Sequence, residues 1–160
     1  MFHTFSSGEG GRATALAPVP RAATRAGATD VLLVSPHSFD KALLERAISP
    51  PKWNVIQVHT CEEAVAVMAS VLVPVVICDR EIAGGHWRQT MKIIFSSPHP
   101  APVLLAADEY DWQLWVETID NGGFELIIRP FHGIEEKLVA AKRHWKRGHV
   151  RRRWDQFFGR

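Results

Sequence analysis

Cysteine is scarce in this chain. Cys61 and Cys78 are the only two among 160 residues, too few for a disulfide framework. Both lie in apolar stretches, where a thiol behaves as a small buried hydrophobe. That usage suits a reducing cytoplasm, where the protein is expected to reside. Long apolar runs are missing as well, and no stretch approaches the roughly 18–20 residues of a membrane span. The first residues lack the apolar core of a secretory signal. Phe2 and Phe5 stand isolated before a stretch of Ala, Gly, Thr, Pro and Arg, which reads as a flexible leader over residues 1–29. Length excludes a second domain of ordinary size. Apolar residues at 46% and charged residues at 22% still allow one well-packed core.

Acidic residues are absent from the tail save one. Residues 142–160 hold eight Lys or Arg against Asp155, a net of +7, and residues 1–29 carry a net of +2. The whole chain is +2, so residues 30–141 carry a net of −7. An acidic body thus bears a basic tail, which says more about partners than the overall balance does.

What is present is a repeating alternation. Val31-Leu-Leu-Val34 is a continuous apolar run, the mark of a strand buried on both faces. Pro36 stops it, and Ser38 offers a helix start. Apolar residues at 39, 43, 44, 47 and 48 then follow helical spacing until Ser49-Pro50-Pro51. Trp53 to His59 reads as a second strand. Thr60 and Glu63 form a capping box before Ala64, Val65, Val67, Met68 and Leu72, a second helix ended by Pro74. Val75 to Cys78 makes a third strand running into Asp79. Trp87 to Phe95 makes a third helix, and Val103 to Ala106 a fourth strand. Trp112, Trp115, Val116 and Ile119 mark a fourth helix, with Asn121-Gly122-Gly123 as a left-handed cap. Phe124 to Ile128 is the fifth strand, Pro130 stops it, and a last helix begins near Gly133.

Five strand–helix units with short connections predict an α/β doubly wound parallel sheet covered on both faces. In such sheets functional groups gather at the carboxyl ends of the strands. Ser35, Asp79, Ala107 with Asp108, and Arg129 with Pro130 fall along that rim. His37, His86 and His132 follow strands one, three and five and could approach it, without the compact spacing of a metal site. Ser35 lacks the Gly-x-Ser-x-Gly elbow of a hydrolase nucleophile.

Three segments at this rim resemble the receiver domain of response regulators. Val75 to Asp79 followed by Ile82-Ala83-Gly84-Gly85 is similar to the strand ending in the phosphoacceptor aspartate and its loop. Pro102 to Ala107 is similar to the family's fourth strand. Asn121 to Phe131 is similar to its Gly-Ala-x-x-Tyr-x-x-Lys-Pro-Phe stretch. The resemblance covers residues 30–146 and implies a CheY-like, flavodoxin-like sheet in the strand order 2-1-3-4-5. It implies a single-domain protein of two-component (phosphorelay) signal transduction that acts by protein–protein contact and is not an enzyme. Its partners would be a histidine kinase or a downstream signalling protein, and Pro130 is the candidate for a cis peptide.

The departures from the family are concentrated at the phosphorylation site. Ser35 and Pro36 stand where receivers place two acids around Mg²⁺. Ala107 replaces the hydroxyl residue, Arg129 the lysine and Leu126 the aromatic switch residue, so Asp79 alone of that set is intact. Phosphoryl transfer to a carboxylate needs a cation to neutralise the converging anions, and Mg²⁺ demands near-octahedral oxygen ligands. The expectation is therefore no cofactor, with phosphorylation weakened or lost and Asp79 tied to Arg129 by a salt bridge. The alternative is a conventional regulator, phosphorylated on Asp79 with Mg²⁺. A second alternative is a flavodoxin-like cofactor binder, although Ser35-Pro36-His37-Ser38 makes a poor phosphate loop. Asp108 and Glu109 read either as substitute acids or as the solvated start of the fourth helix.

Trp112 and Trp115, three apart on that helix, read as one core residue and one partner anchor. At the end of the last helix and along its basic amphipathic extension over residues 147–160, Trp145, Val150, Trp154, Phe157 and Phe158 recur among Lys146, Arg147, Arg151, Arg152 and Arg153. Gly148 weakens a helix there by about 1 kcal/mol relative to alanine. A fold-back onto the acidic body, a homodimer, an anionic membrane and nucleic acid are all open readings of this tail. Too few residues remain for a helix-turn-helix output domain.

Overall fold

The computed structural model describes residues 26–82 and 86–158, with residues 150–158 by backbone alone. The leader through residue 25, the loop Ala83-Gly84-Gly85 and the side chains of Arg151, Arg152 and Arg153 lie outside the described residues. The elements are β1 (Thr29–Val34), α1 (Asp40–Ala47), β2 (Trp53–Val58), α2 (Cys61–Ser70), β3 (Val75–Asp79), α3 (Trp87–Phe95), β4 (Val103–Ala107), α4 (Trp112–Asp120), β5 (Glu125–Ile128) and α5 (Ile134–Phe158). All five strands pair in parallel, in the order β2-β1-β3-β4-β5.

The period of two in the strands divides the core into two layers. Leu32, Val34, Val76, Cys78, Val103 and Leu105 point to one face, where Ala64, Met68, Trp87, Met91, Ile94 and Leu114 of α2, α3 and α4 cover them. Val31, Leu33, Val75, Ile77, Leu104 and Ala106 point to the other, beneath Leu44 of α1 and Ile134, Leu138 and Ala141 of α5. Strands wanted by helices on both sides have no polar face, which is why β1, β3 and β4 read as unbroken apolar runs. Cys61 and Cys78 are buried and free, and burial, with Cys61 as neighbour, pushes the Cys78 thiol up.

Local signals set most boundaries. The Thr60 hydroxyl accepts the Glu63 N–H at 3.2 Å and caps α2. At the end of α4, Gly122 takes φ +88°. Its N–H bonds Ile119 at 2.9 Å and that of Gly123 bonds Thr118 at 2.8 Å, a Schellman ending.

Some boundaries depart from the sequence reading. Helix α1 starts after Phe39, not at Ser38, and has no side-chain cap; the nearby Ser35 hydroxyl serves His37 N–H and Asp40 instead. Phe39 is therefore outside the helical stripe and stands exposed, stacked on His37. Helix α2 ends at Ser70, before Leu72, because Val71 turns to extended backbone, with φ −129° and ψ 134°. Strand β1 takes in Thr29, which the leader was expected to include, because its N–H bonds Lys52. Helix α5, by contrast, continues unbroken through Gly148 to Phe158, as the reading of the tail as an extension of the last helix has it, and the fold-back reading does not hold for that segment. No helix among the described residues is long and apolar enough to cross a membrane.

Candidate functional site

The sheet carries Ser35, Asp79, Ala107 and Arg129 to one rim, because β1, β3, β4 and β5 are parallel and in register. Asp79 ends β3 and is buried. Its Oδ1 accepts the Glu81 N–H at 2.6 Å, an Asx turn that leads the chain away from the sheet. Ala107 is buried at the end of β4 and its carbonyl accepts the Arg129 N–H at 3.0 Å. The next peptide, Arg129–Pro130, is cis.

Arg129 organises this rim. Its Nη2 reaches Asp79 Oδ2 and lies 2.6 Å from Asp40 Oδ2, its Nε donates to Asp40 Oδ1 at 2.7 Å, and its Nη1 donates to Asp108 Oδ1 at 3.2 Å. The pairing with Asp79 is the one the sequence suggested. The bidentate fork on Asp40 is not, and it is the better formed of the two. Asp40 is fully buried and also accepts the Ser35 hydroxyl at 2.5 Å. Burial alone would raise its carboxyl. The Arg129 and Ser35 hydrogen bonds and the nearby guanidinium charge outweigh burial and hold Asp40 below the ordinary carboxylate range.

Asp40 is the site residue that sequence reasoning missed. The positions after the first strand were matched in linear order to Ser35 and Pro36, whereas the carboxylate comes from the first turn of α1. Its one sequence signal is ordinary, since an acid in a helix's first turn is favoured by the dipole in any protein. Asp108, read either as a substitute acid or as the solvated start of the fourth helix, stays exposed just before that helix. Asp111 caps α4, accepting the Gln113 N–H at 2.9 Å, and frees Asp108 to meet Arg129. Of the rim histidines, His37 brings Nε2 to 3.9 Å from Asp79 Oδ1. His86 instead caps α3 and accepts the Arg88 N–H, and His132 is exposed beyond β5.

Receivers of this fold hold Mg²⁺ between carboxylates, so the donor set can be tested against that ion. Both oxygens of Asp40 and one of Asp79 are taken by the guanidinium, and the other Asp79 oxygen takes a backbone N–H. The Ser35 hydroxyl donates to Asp40 and Pro36 offers no side-chain donor atom. A cation already lies among these carboxylates, and it is part of the chain. The residues do not fit Mg²⁺ as they stand. Among the described residues no group of three His, Cys, Asp or Glu side chains could hold a metal ion.

Outside this cluster, a cavity of about 610 Å³ opens between His37, Glu81, Asp108, Tyr110, Trp112 and Arg129. Tyr110 and Trp112 are each 63% exposed at its lip. Trp112 stacks on Trp115 at 5.4 Å, and Trp115 is half-buried and donates to Glu125 at 3.0 Å. Leu126 is buried in the layer beneath α4, beside Leu114. A side chain of that size and polarity offers the rim nothing.

No family model matches the sequence, and no curated protein matches it. Solved structures do match. The chain is similar to the signal receiver domain of a protein assigned as a LuxO repressor from Vibrio parahaemolyticus, at 20% identity and a TM-score of 0.64, over 83% of this chain and 99% of that one. It is similar to the receiver domain of an HD domain-containing protein from Pseudomonas fluorescens, at 19% identity and 0.64, over 74% and 98%. It is similar to the chemotaxis response regulator CheY4 of Vibrio cholerae, at 17% identity and 0.60, over 74% and 98%. At such identities the likeness shows the fold, and the fold is that of response-regulator receivers.

Proposed function

We propose that this receiver-fold chain is a signalling protein of the two-component type that works by protein–protein contact, with Arg129 holding its rim in one state regardless of phosphorylation. The observation that carries the reading is the guanidinium fork shared by Asp40 and Asp79. In a phosphorylation switch the rim must change its charge and contacts between two states. A built-in cation bonded to both buried carboxylates removes the vacancy such a switch needs. Breaking this arrangement would expose uncompensated buried charge, which costs several kcal/mol.

The partner face is the surface around α4 and β5, with Trp112 as its aromatic anchor. The partner is a histidine kinase or a downstream signalling protein. A flavodoxin-like cofactor role fits less well, because the carboxylates of Glu81, Asp108, Glu109 and Asp111 outnumber the cations Arg80 and Arg129 in the cavity lining and disfavour a phosphate.

The direct test is incubation of the full chain with a small-molecule phosphodonor and Mg²⁺, followed by intact mass. The expected result is an unmodified chain. A phosphate adduct lost in Asp79→Asn would overturn the reading in favour of a conventional response regulator.

A further inference from the structure

Helix α5 is longer than the domain requires. Its 25 residues span about 37 Å, whereas strands of 4–6 residues span about 20 Å or less. Ile134, Leu138 and Ala141 are buried against the sheet and Trp145 packs on the core edge. Beyond His149, which stacks on Trp145 at 5.0 Å, the backbone continues as helix to Phe158.

The apolar pattern changes side along this helix. At about 100° per residue, Ile134, Leu138, Ala141 and Trp145 share the face turned to the sheet. Positions Val150, Trp154, Phe157 and Phe158 centre about 180° away, on the outer face. That outer face is continuous. Within the domain it presents Val139, 37% exposed, and then the exposed Arg143, Lys146 and Arg147. Its acidic member is Glu136, near the rim end. The face therefore runs from basic to aromatic along the sequence, and its described residues from Glu136 to Arg147 take no part in the core.

We infer that the outer face of α5, from Val139 to Phe158, is a docking surface for an anionic phospholipid bilayer, on which the helix lies flat. A helix with Trp and Phe on one side and Lys and Arg around it is the form that settles in a lipid interface. Basic residues near an anionic leaflet add binding energy one by one, and residues 142–160 supply a net of +7. A second copy of the chain is a poorer fit, because Val150, Trp154 and Phe157 make one heptad and a coiled coil needs three or four. Duplex phosphates would use the arginines and leave the aromatic positions without a role. The inference does not rest on the state of Asp79, which lies at the opposite end of the sheet from the helix's exit.

The experiment is co-sedimentation of the full chain with vesicles of pure phosphatidylcholine or of phosphatidylcholine with phosphatidylglycerol. Wild type is compared with Phe157→Ser/Phe158→Ser and with Arg151→Gln/Arg152→Gln/Arg153→Gln, circular dichroism confirming that each is folded. Binding to the anionic vesicles alone, reduced roughly tenfold or more by either variant, is expected. Four outcomes overturn the inference. One is no binding to anionic vesicles, and another is binding that both variants retain. The third is sedimentation only with added duplex DNA, and the fourth is a concentration-dependent dimer abolished by the Phe157→Ser/Phe158→Ser change without vesicle binding.

Discussion

Arg129 and Asp40 are 89 residues apart in sequence and meet in a bidentate pair, with Nε to Oδ1 at 2.7 Å and Nη2 to Oδ2 at 2.6 Å. The pair joins the end of β5 to the start of α1 across the sheet's carboxyl edge. Asp79, between them on β3, is drawn into the same fork.

Arg129→Ala takes the guanidinium charge away from two buried carboxylates and is expected to lower stability by about 3–5 kcal/mol. Arg129→Lys keeps the charge but cannot span both carboxylates, so its loss should be smaller and still clear. Urea unfolding of the three proteins measures this. Equal stability of wild type and Arg129→Ala would mean the fork contributes nothing.

Removing the guanidinium also vacates the position between Asp40 and Asp79. A folded Arg129→Ala protein is expected to gain stability on adding Mg²⁺, because an ion that binds the native state alone raises its melting temperature. Wild type should show no such shift. Thermal melts with and without Mg²⁺ make the comparison, and equal responses would contradict it.

The Asp40 carboxyl sits below its ordinary value of 3.8. The folded state thus prefers the ionised form, and this contribution is complete above the unfolded value. It is lost as pH falls through the lower folded value. Stability is expected to decline below about pH 4, and Asp40→Asn should flatten that part of the curve while lowering stability at neutral pH. Denaturant midpoints across pH provide the check.

A Cβ added at Gly123 would lie 2.7 Å from the carbonyl oxygen and Cγ2 of Thr118. Because the oxygen belongs to the helix that Gly123 terminates, it cannot move aside cheaply. Gly123→Ala is expected to cost about 1–3 kcal/mol, seen as a lower melting temperature. An unchanged melting temperature would show that the α4–β5 connection has more room.

These residues also show what could be read before the fold was known. The apolar runs at Val31–Val34, Val75–Cys78 and Val103–Ala106 and the helical spacing between them are local signals, and their order implied the sheet. Thr60 and Gly122 announced their caps for the same reason. The membership of the rim cluster is not local. Asp40 reads as an ordinary first-turn acid until β5 brings Arg129 over it, and the two readings of Asp108, substitute acid or helix start, are separated only once Asp111 is seen to cap α4. Phe39 kept helical spacing and still stands outside, because periodicity does not say where the first turn begins.

The measurement that bears most directly on the central claim is a titration of beryllofluoride with Mg²⁺ into the wild-type chain, followed by amide NMR shifts and tryptophan fluorescence. If Arg129 permanently fills the place of the cation, Asp79 and its neighbours will show no saturable change at millimolar concentrations. Saturable, Mg²⁺-dependent shifts around Asp79 would show that the fork opens, and the protein would then have to be understood as a phosphorylation switch.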